Sequence, residues 1–258
     1  MSSSTLERAL RRDRWIVLAS LLGVIVISWA YILAGAGMNM SDMSGMAGGM
    51  SMSPVWTPGY FLLMVVMWWV MMNAMMLPSA APMILLYAEL KRRSGESGSS
   101  SAPSAVFAAG YVVAWGGFSV VAALLQWGLE ELTLLTPMMA SASEAFGAAL
   151  LIAAGIYQLT PLKHACLRHC RAPIEYLGHH WRSGTGGAFR MGLEHGLFCL
   201  GCCWLLMGLL FYGGVMNLYW IVGLALYLLV EKLAPAGHWL GRFSGIGLIL
   251  WGAALLVL

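Results

Sequence analysis

Residues 58–77 read PGYFLLMVVMWWVMMNAMML, an uninterrupted run without one charged side chain. At about 1.5 Å of rise per residue such a run matches the roughly 30 Å hydrocarbon thickness of a bilayer. Thr57-Pro58 places proline at a first helical position, where its missing N–H costs nothing. Outward from this stretch, six further apolar segments follow the same logic, at 15–34, 104–127, 144–161, 190–212, 214–232 and 243–258. Pro103 precedes one of them, and Ser141-x-x-Glu144 reads as a capping box before another. The sequence therefore predicts an all-α, polytopic integral membrane helical bundle of about seven transmembrane helices, forming a single membrane domain over 1–258, with the last span the shortest. The composition agrees: of 258 residues, 60% are hydrophobic and 10% charged, against about 25% charged in soluble domains. An ordinary soluble enzyme is excluded, and a net charge of +3 is too small to imply a nucleic-acid partner.

The basic residues set the expected orientation. Arg8, Arg11, Arg12 and Arg14 precede the first span, and Lys91, Arg92 and Arg93 follow the second. Lys163, Arg168, Arg171, Arg182 and Arg190 lie between the fourth and fifth, and Lys232 and Arg242 between the sixth and seventh. Lys and Arg of short loops stay on the cytoplasmic side, so the N-terminus is expected in the cytoplasm. The first span, long and uncharged, is expected to be a retained helix and not a cleaved leader. Segment 35–57 becomes an outer loop and 162–189 a cytoplasmic one.

Soft donor atoms recur along this frame. Met occurs 19 times. Met38, Met40, Met43, Met46, Met50 and Met52 fall in the outer loop among small, uncharged or acidic neighbours, so thioethers can converge on a soft cation without opposing charge; among biological metals this donor selects Cu(I). On the second span Met64, Met67, Met71 and Met75 lie within about 80° of one helix face, with Met72 and Met76 widening the stripe. On the fifth span, taking His195 as zero, Met191, Cys199, Cys202 and Cys203 project at about −40°, +40°, −20° and +80°. One helix rarely supplies a full shell, so the Met face of the second span is the expected complement. The fourth cluster, His164, Cys166, His169 and Cys170 with His179-His180 beyond, has spacings that suit a short segment wrapping a metal, zinc being the alternative to copper there. An odd count of five cysteines, all placed within the membrane or inside it, implies no disulfide framework.

Three stretches carry a resemblance: Met71-Met-Asn-Ala-Met-Met-Leu-Pro-Ser-Ala-Ala-Pro82, Tyr157-Gln-Leu-Thr-Pro-Leu-Lys163 leading to Cys166-Leu-Arg-His-Cys170, and Gly192-Leu-Glu-His-Gly-Leu-Phe-Cys-Leu-Gly-Cys-Cys-Trp-Leu-Leu-Met207. Over about 56–232 the chain resembles the bacterial family of predicted metal-binding integral membrane proteins of unknown function. The resemblance implies a multi-helix inner-membrane protein that binds metal. Together these readings predict a non-enzyme that binds a soft ion, Cu(I) foremost, for transport, trafficking or delivery. Its partners would be the bilayer and a periplasmic copper protein or a membrane cuproenzyme. A membrane thiol oxidoreductase or redox sensor, and a non-catalytic scaffold subunit, are the rivals. No Walker A or Rossmann glycine pattern is present to drive the ion with a nucleotide.

Overall fold

A computed structural model describes residues 3–35, 56–93, 101–136 and 139–257. Among them every regular element is helical: α1 Ser3–Leu33, α2 Pro58–Arg93, α3 Ser101–Glu131, α4 Glu144–Leu159, α5 Pro161–Arg171, α6 Pro173–His180, α7 Gly184–Gly208, α8 Leu210–Gly213, α9 Leu218–Leu233 and α10 Gly237–Val257. The all-α expectation holds. The outer methionines Met38, Met40, Met43, Met46, Met50 and Met52 lie outside the described residues.

Five stretches are long and apolar enough to cross a membrane: Trp15–Leu33, Pro58–Arg92, Pro103–Glu131, Gly184–Gly213 and Gly237–Val257. The pair α4 and α5, bent by 66° at Thr160, makes a sixth if it counts as one span. The segment expected at 214–232 is the 16-residue helix α9, shorter than the other spans. The last span, expected to be the weakest, is a 21-residue helix that begins at Gly237.

Local chemistry explains the boundaries. Thr57 caps α2, its Oγ1 accepting from Tyr60 N at 3.2 Å. At α4 the cap is Ser143, whose Oγ accepts from Phe146 N, while Ser141 only donates to the Ser143 carbonyl; the capping box expected at Ser141 is displaced by two residues. Pro78 and Pro82 lie inside α2, and the helix runs on to Arg93. Neighbouring hydroxyls serve the backbone there: Ser79 Oγ and Tyr111 Oη both donate to the Met76 carbonyl, at 2.9 and 3.4 Å.

Segment 162–189, expected to be a loop, is largely helical. Thr160 caps α5 by accepting from Lys163 N, with Pro161 at the first turn, and Pro173 opens α6 in the same way.

The most extensive helix pairing is α3 against α7. A Cβ at Gly192 would overlap the Phe107 carbonyl, so only glycine lets the two backbones meet there. That approach brings Tyr111 of α3 onto the His195–Cys199 face of α7. Helix α5 packs on α7 as well, and α9 on α2, so four helices converge on one region of α7.

Candidate metal centre

Met191, His195, Cys199, Cys202 and Cys203 are all buried, so the stripe read from the sequence does face the interior. Cys199 is its hub. Its sulfur lies 2.9 Å from Lys232 Nζ and 3.1 Å from Tyr111 Oη. Cys202 and Cys203 turn their thiols back to the Cys199 carbonyl, at 3.0 and 2.9 Å, the short local bonds open to thiols three and four residues along a helix. The thiol of Cys170, from α5, interacts with those of Cys199 and Cys202. Thiols from two helices are thus neighbours, though among the described residues no three of them form a ready coordination shell. All five cysteines are free thiols.

Lys232 is the unexpected member. It does not pair with its chain neighbour Glu231: the two adjacent side chains diverge by the 100° of helical rotation. Glu231 turns to Lys163, Oε1 to Nζ 2.7 Å, in an ion pair with both side chains almost fully buried. Lys232 turns the other way, and its ammonium has only Ser79 Oγ at 3.2 Å, Met76 Sδ at 3.8 Å and Cys199 Sγ as hydrogen-bond partners among the described residues. A buried ammonium without a carboxylate is costly. A thiolate at Cys199 is the counter-charge this geometry offers. An ionisable residue in an apolar helix is itself a site signal; Lys232 could have been found that way, whereas nothing in the sequence singled out Tyr111.

Of the α2 methionines, Met76 is the one joined to this cluster, through Lys232. Met67, Met71 and Met75 are buried in the core, and Met64 is drawn to the opposite end of the bundle. There Gln126 Nε2 lies 3.6 Å from Met64 Sδ, 3.4 Å from Met139 Sδ and 2.9 Å from Glu130 Oε1. Met139, which the sequence reading passed over, holds a left-handed backbone with φ 55° to put its side chain there. The polar contact between the two stripes runs through Met76, near the middle of α2, by way of Lys232.

The fourth cluster divides among several directions because α5 is a helix and cannot wrap an ion. Cys170 joins the sulfurs on α7. Cys166 packs its sulfur into the space left by Gly201. His169 stacks on Phe198, ring centroids 4.0 Å apart. His164 lines an open cavity at this basic end, and its pKa is lowered by burial, then by the charges of Arg242 and Lys163. Among the described residues no three His, Cys, Asp or Glu side chains form a ready coordination shell, in this segment or along α7. His195 keeps an orphan: its Nδ1 is buried with no hydrogen-bond partner, and the ring sits 5.8 Å from Tyr111 and 5.4 Å from Tyr176. An unsatisfied imidazole nitrogen one turn from Cys199 is a free donor at the edge of the sulfur cluster. Thiol, thioether and imidazole together fit a soft monovalent ion better than a hard one.

Comparison with known proteins agrees with this donor set. No curated protein and no solved structure matches the chain. A family profile described as copper chaperone PpoB2 matches residues 65–255, which takes in α7 whole, nearly all of α2 and every residue of the sulfur cluster. A copper chaperone carries the metal and does not turn it over, so the match points to a non-catalytic role. The chain belongs to the PpoB2 copper chaperone family.

Proposed function

We propose that the chain is a multi-pass protein of the bacterial inner membrane, with its N-terminus in the cytoplasm, that binds Cu(I) at the Cys199 cluster and passes it to a protein acceptor. The observation that carries this reading is the convergence of the Cys170, Cys199, Cys202 and Cys203 thiols beside Lys232 and Met76. The membrane assignment is supported by α1 and α10, whose apolar windows are only 22% and 17% buried, and by the one-sided distribution of basic residues. Soft ligands supply the mechanism. An ion exchanged between thioether, thiolate and imidazole donors never meets bare hydrocarbon, and the sites offer graded affinities. The outer methionines Met38 to Met52 would collect the ion, the cluster would hold it, and a periplasmic copper protein or a membrane cuproenzyme would receive it. Because the Cys202 and Cys203 thiols donate to the Cys199 carbonyl and Cys199 Sγ is held by Lys232, loading must displace thiol protons.

The test is metal analysis of the protein purified in detergent under reducing, anaerobic conditions and loaded with Cu(I). Wild type is expected to retain copper that the variant Cys199→Ser/Cys202→Ser/Cys203→Ser with His195→Ala loses. Equal copper in both would refute the site. Absence of copper from both, with a reversible, oxidant-dependent loss of thiols, would favour the thiol oxidoreductase reading.

A further inference from the structure

Helices α5 and α6 frame a cavity of about 930 Å³ at the basic end, lined by His164, His169, His179, His180 and His238, five of the six histidines in the chain. Two of these are held in a way the others are not. His169 Nδ1 lies 2.9 Å from the Ala165 carbonyl, and His180 Nδ1 lies 3.0 Å from the Tyr176 carbonyl. A carbonyl can only accept, so in each neutral ring Nδ1 carries the proton and Nε2 keeps the lone pair. That is the arrangement by which proteins prepare imidazoles as metal ligands, with the second nitrogen anchored to fix tautomer and orientation. The two rings are neighbours, centroids 6.2 Å apart, with their planes crossed at 75°. Both are clamped by the same aromatics: His169 on the face of Phe198 at 4.0 Å, and His180 on Tyr176 at 4.7 Å with an interplanar angle of 14°.

Their position gives the pair a role. His169 precedes Cys170 in the chain and Phe198 precedes Cys199, so the stacked His169 and Phe198 rings lie one residue from the sulfur cluster on each helix. Tyr176 is shared by both regions, its hydroxyl donating to the Met191 carbonyl at 2.9 Å and its ring lying 5.4 Å from His195. The open, solvent-facing donors are therefore the first that an ion leaving the thiols toward this end would meet.

We propose that His169 and His180 form a two-imidazole site for a soft monovalent cation, Cu(I), which serves as the port between the cavity and the buried thiols. The identity of the ion rests on the function proposed above; the pair of ligands does not. Imidazole binds such an ion less tightly than thiolate and is reached from solvent, the properties a hand-off position needs if an acceptor is to take the ion.

The experiment compares wild type, His169→Ala, His180→Ala, the double variant, and the cavity controls His164→Ala and His179→Ala. Each is loaded with Cu(I) against a competing chelator; copper per chain is counted, and the nitrogen and sulfur ligands are read by X-ray absorption. Either single variant is expected to lose one ion per chain together with its nitrogen scattering. The double variant should lose no more, because two ligands serve one ion, and the controls should lose nothing. Sulfur-bound copper retained in the same samples shows that the fold survives. Unchanged copper in both single variants, or equal loss in the controls, would overturn the two-imidazole site. Loss of the sulfur-bound ion alone from the Cys variant leaves the imidazole ion countable. If copper instead binds at nitrogen only in wild type, the sulfur reading and the port role both fail, while the two-imidazole site stands.

Discussion

Replacing Lys163 by Met tests the buried pair that ties α5 to α9. The Lys163 and Glu231 side chains are 1% and 0% exposed, 2.7 Å apart. The Glu231 carboxylate has one other donor, Tyr227 Oη at 3.2 Å, and its Oε2 has none. Removing the ammonium leaves a carboxylate buried and nearly alone, a change that costs about 3–5 kcal/mol. At roughly 2–4 °C per kcal/mol for a chain of this size, the melting temperature should fall by about 6–20 °C. Glu231→Gln should fall in the same range, since it strands the Lys163 ammonium. The double variant Lys163→Met/Glu231→Gln removes both charges, so its loss should be smaller than that of either single variant. Thermal unfolding in detergent, followed by circular dichroism, reads all four proteins. Single variants within about 2 °C of wild type, or a double variant whose loss equals the sum of the two, would refute the view that this pair is an interdependent buried unit.

Three further outcomes follow from the same contacts. Gly192→Val, whose side chain would overlap the Phe107 carbonyl, should force α3 from α7 and cost about 1–3 kcal/mol or more, seen as a lower melting temperature together with lost copper. Lys232→Met removes the charged donor to Cys199 Sγ; at about 1.5–3 kcal/mol for such a bond, alkylation of Cys199 should slow by about 10- to 150-fold, measured by mass spectrometry of the modified peptide. His164, partly buried and then opposed by the charges of Arg242 and Lys163, should titrate below the ordinary histidine value in an NMR titration, and Arg242→Gln should move it part of the way back up. Because the unfolded chain then takes up that proton first, His164 lowers stability as pH falls through about 6.5 and has no effect well above it.

The sequence carried the helices and the face of α7 because both depend on short-range periodicity. A run such as 58–77 can satisfy its backbone in an apolar setting only as a helix, and residues 191, 195, 199, 202 and 203 fall on one stripe whatever surrounds them. What lay beyond reach was which elements meet. Met64 and Met76 belong to one stripe, yet one is held by Gln126 at one end and the other reaches Lys232 near Cys199. The Cys166 and Cys170 spacing suggested a metal-wrapping loop; the proline and threonine signals that make α5 a helix were present at Thr160-Pro161 but had been read as the end of a span. Lys232 and Glu231 are chain neighbours, yet a helix sends adjacent side chains in different directions, and only packing decides that one meets Cys199 and the other Lys163.

The sulfur cluster is therefore a product of tertiary packing, and this decides how its variants should sort. Cys199 comes from α7, Cys170 from α5, Lys232 from α9, Tyr111 from α3 and Met76 from α2, so no local segment contains the site. Residues that fix these helices relative to one another, Gly192 and the Lys163–Glu231 pair, should lower melting temperature and copper retention together. Residues that only donate to the ion should lower copper and leave melting unchanged, apart from the small cost of the lost thiol or imidazole contacts. Cys202 and Cys203 bond to the Cys199 carbonyl of their own helix, so serine can replace those contacts and these two should fall cleanly in the second group. Lys232 should fall in neither, because removing it both relieves a buried charge and strips Cys199 of its partner. Its melting temperature can hold or rise while the chemistry at Cys199 changes, and that dissociation is the signature of a charge kept for the site at the expense of the fold.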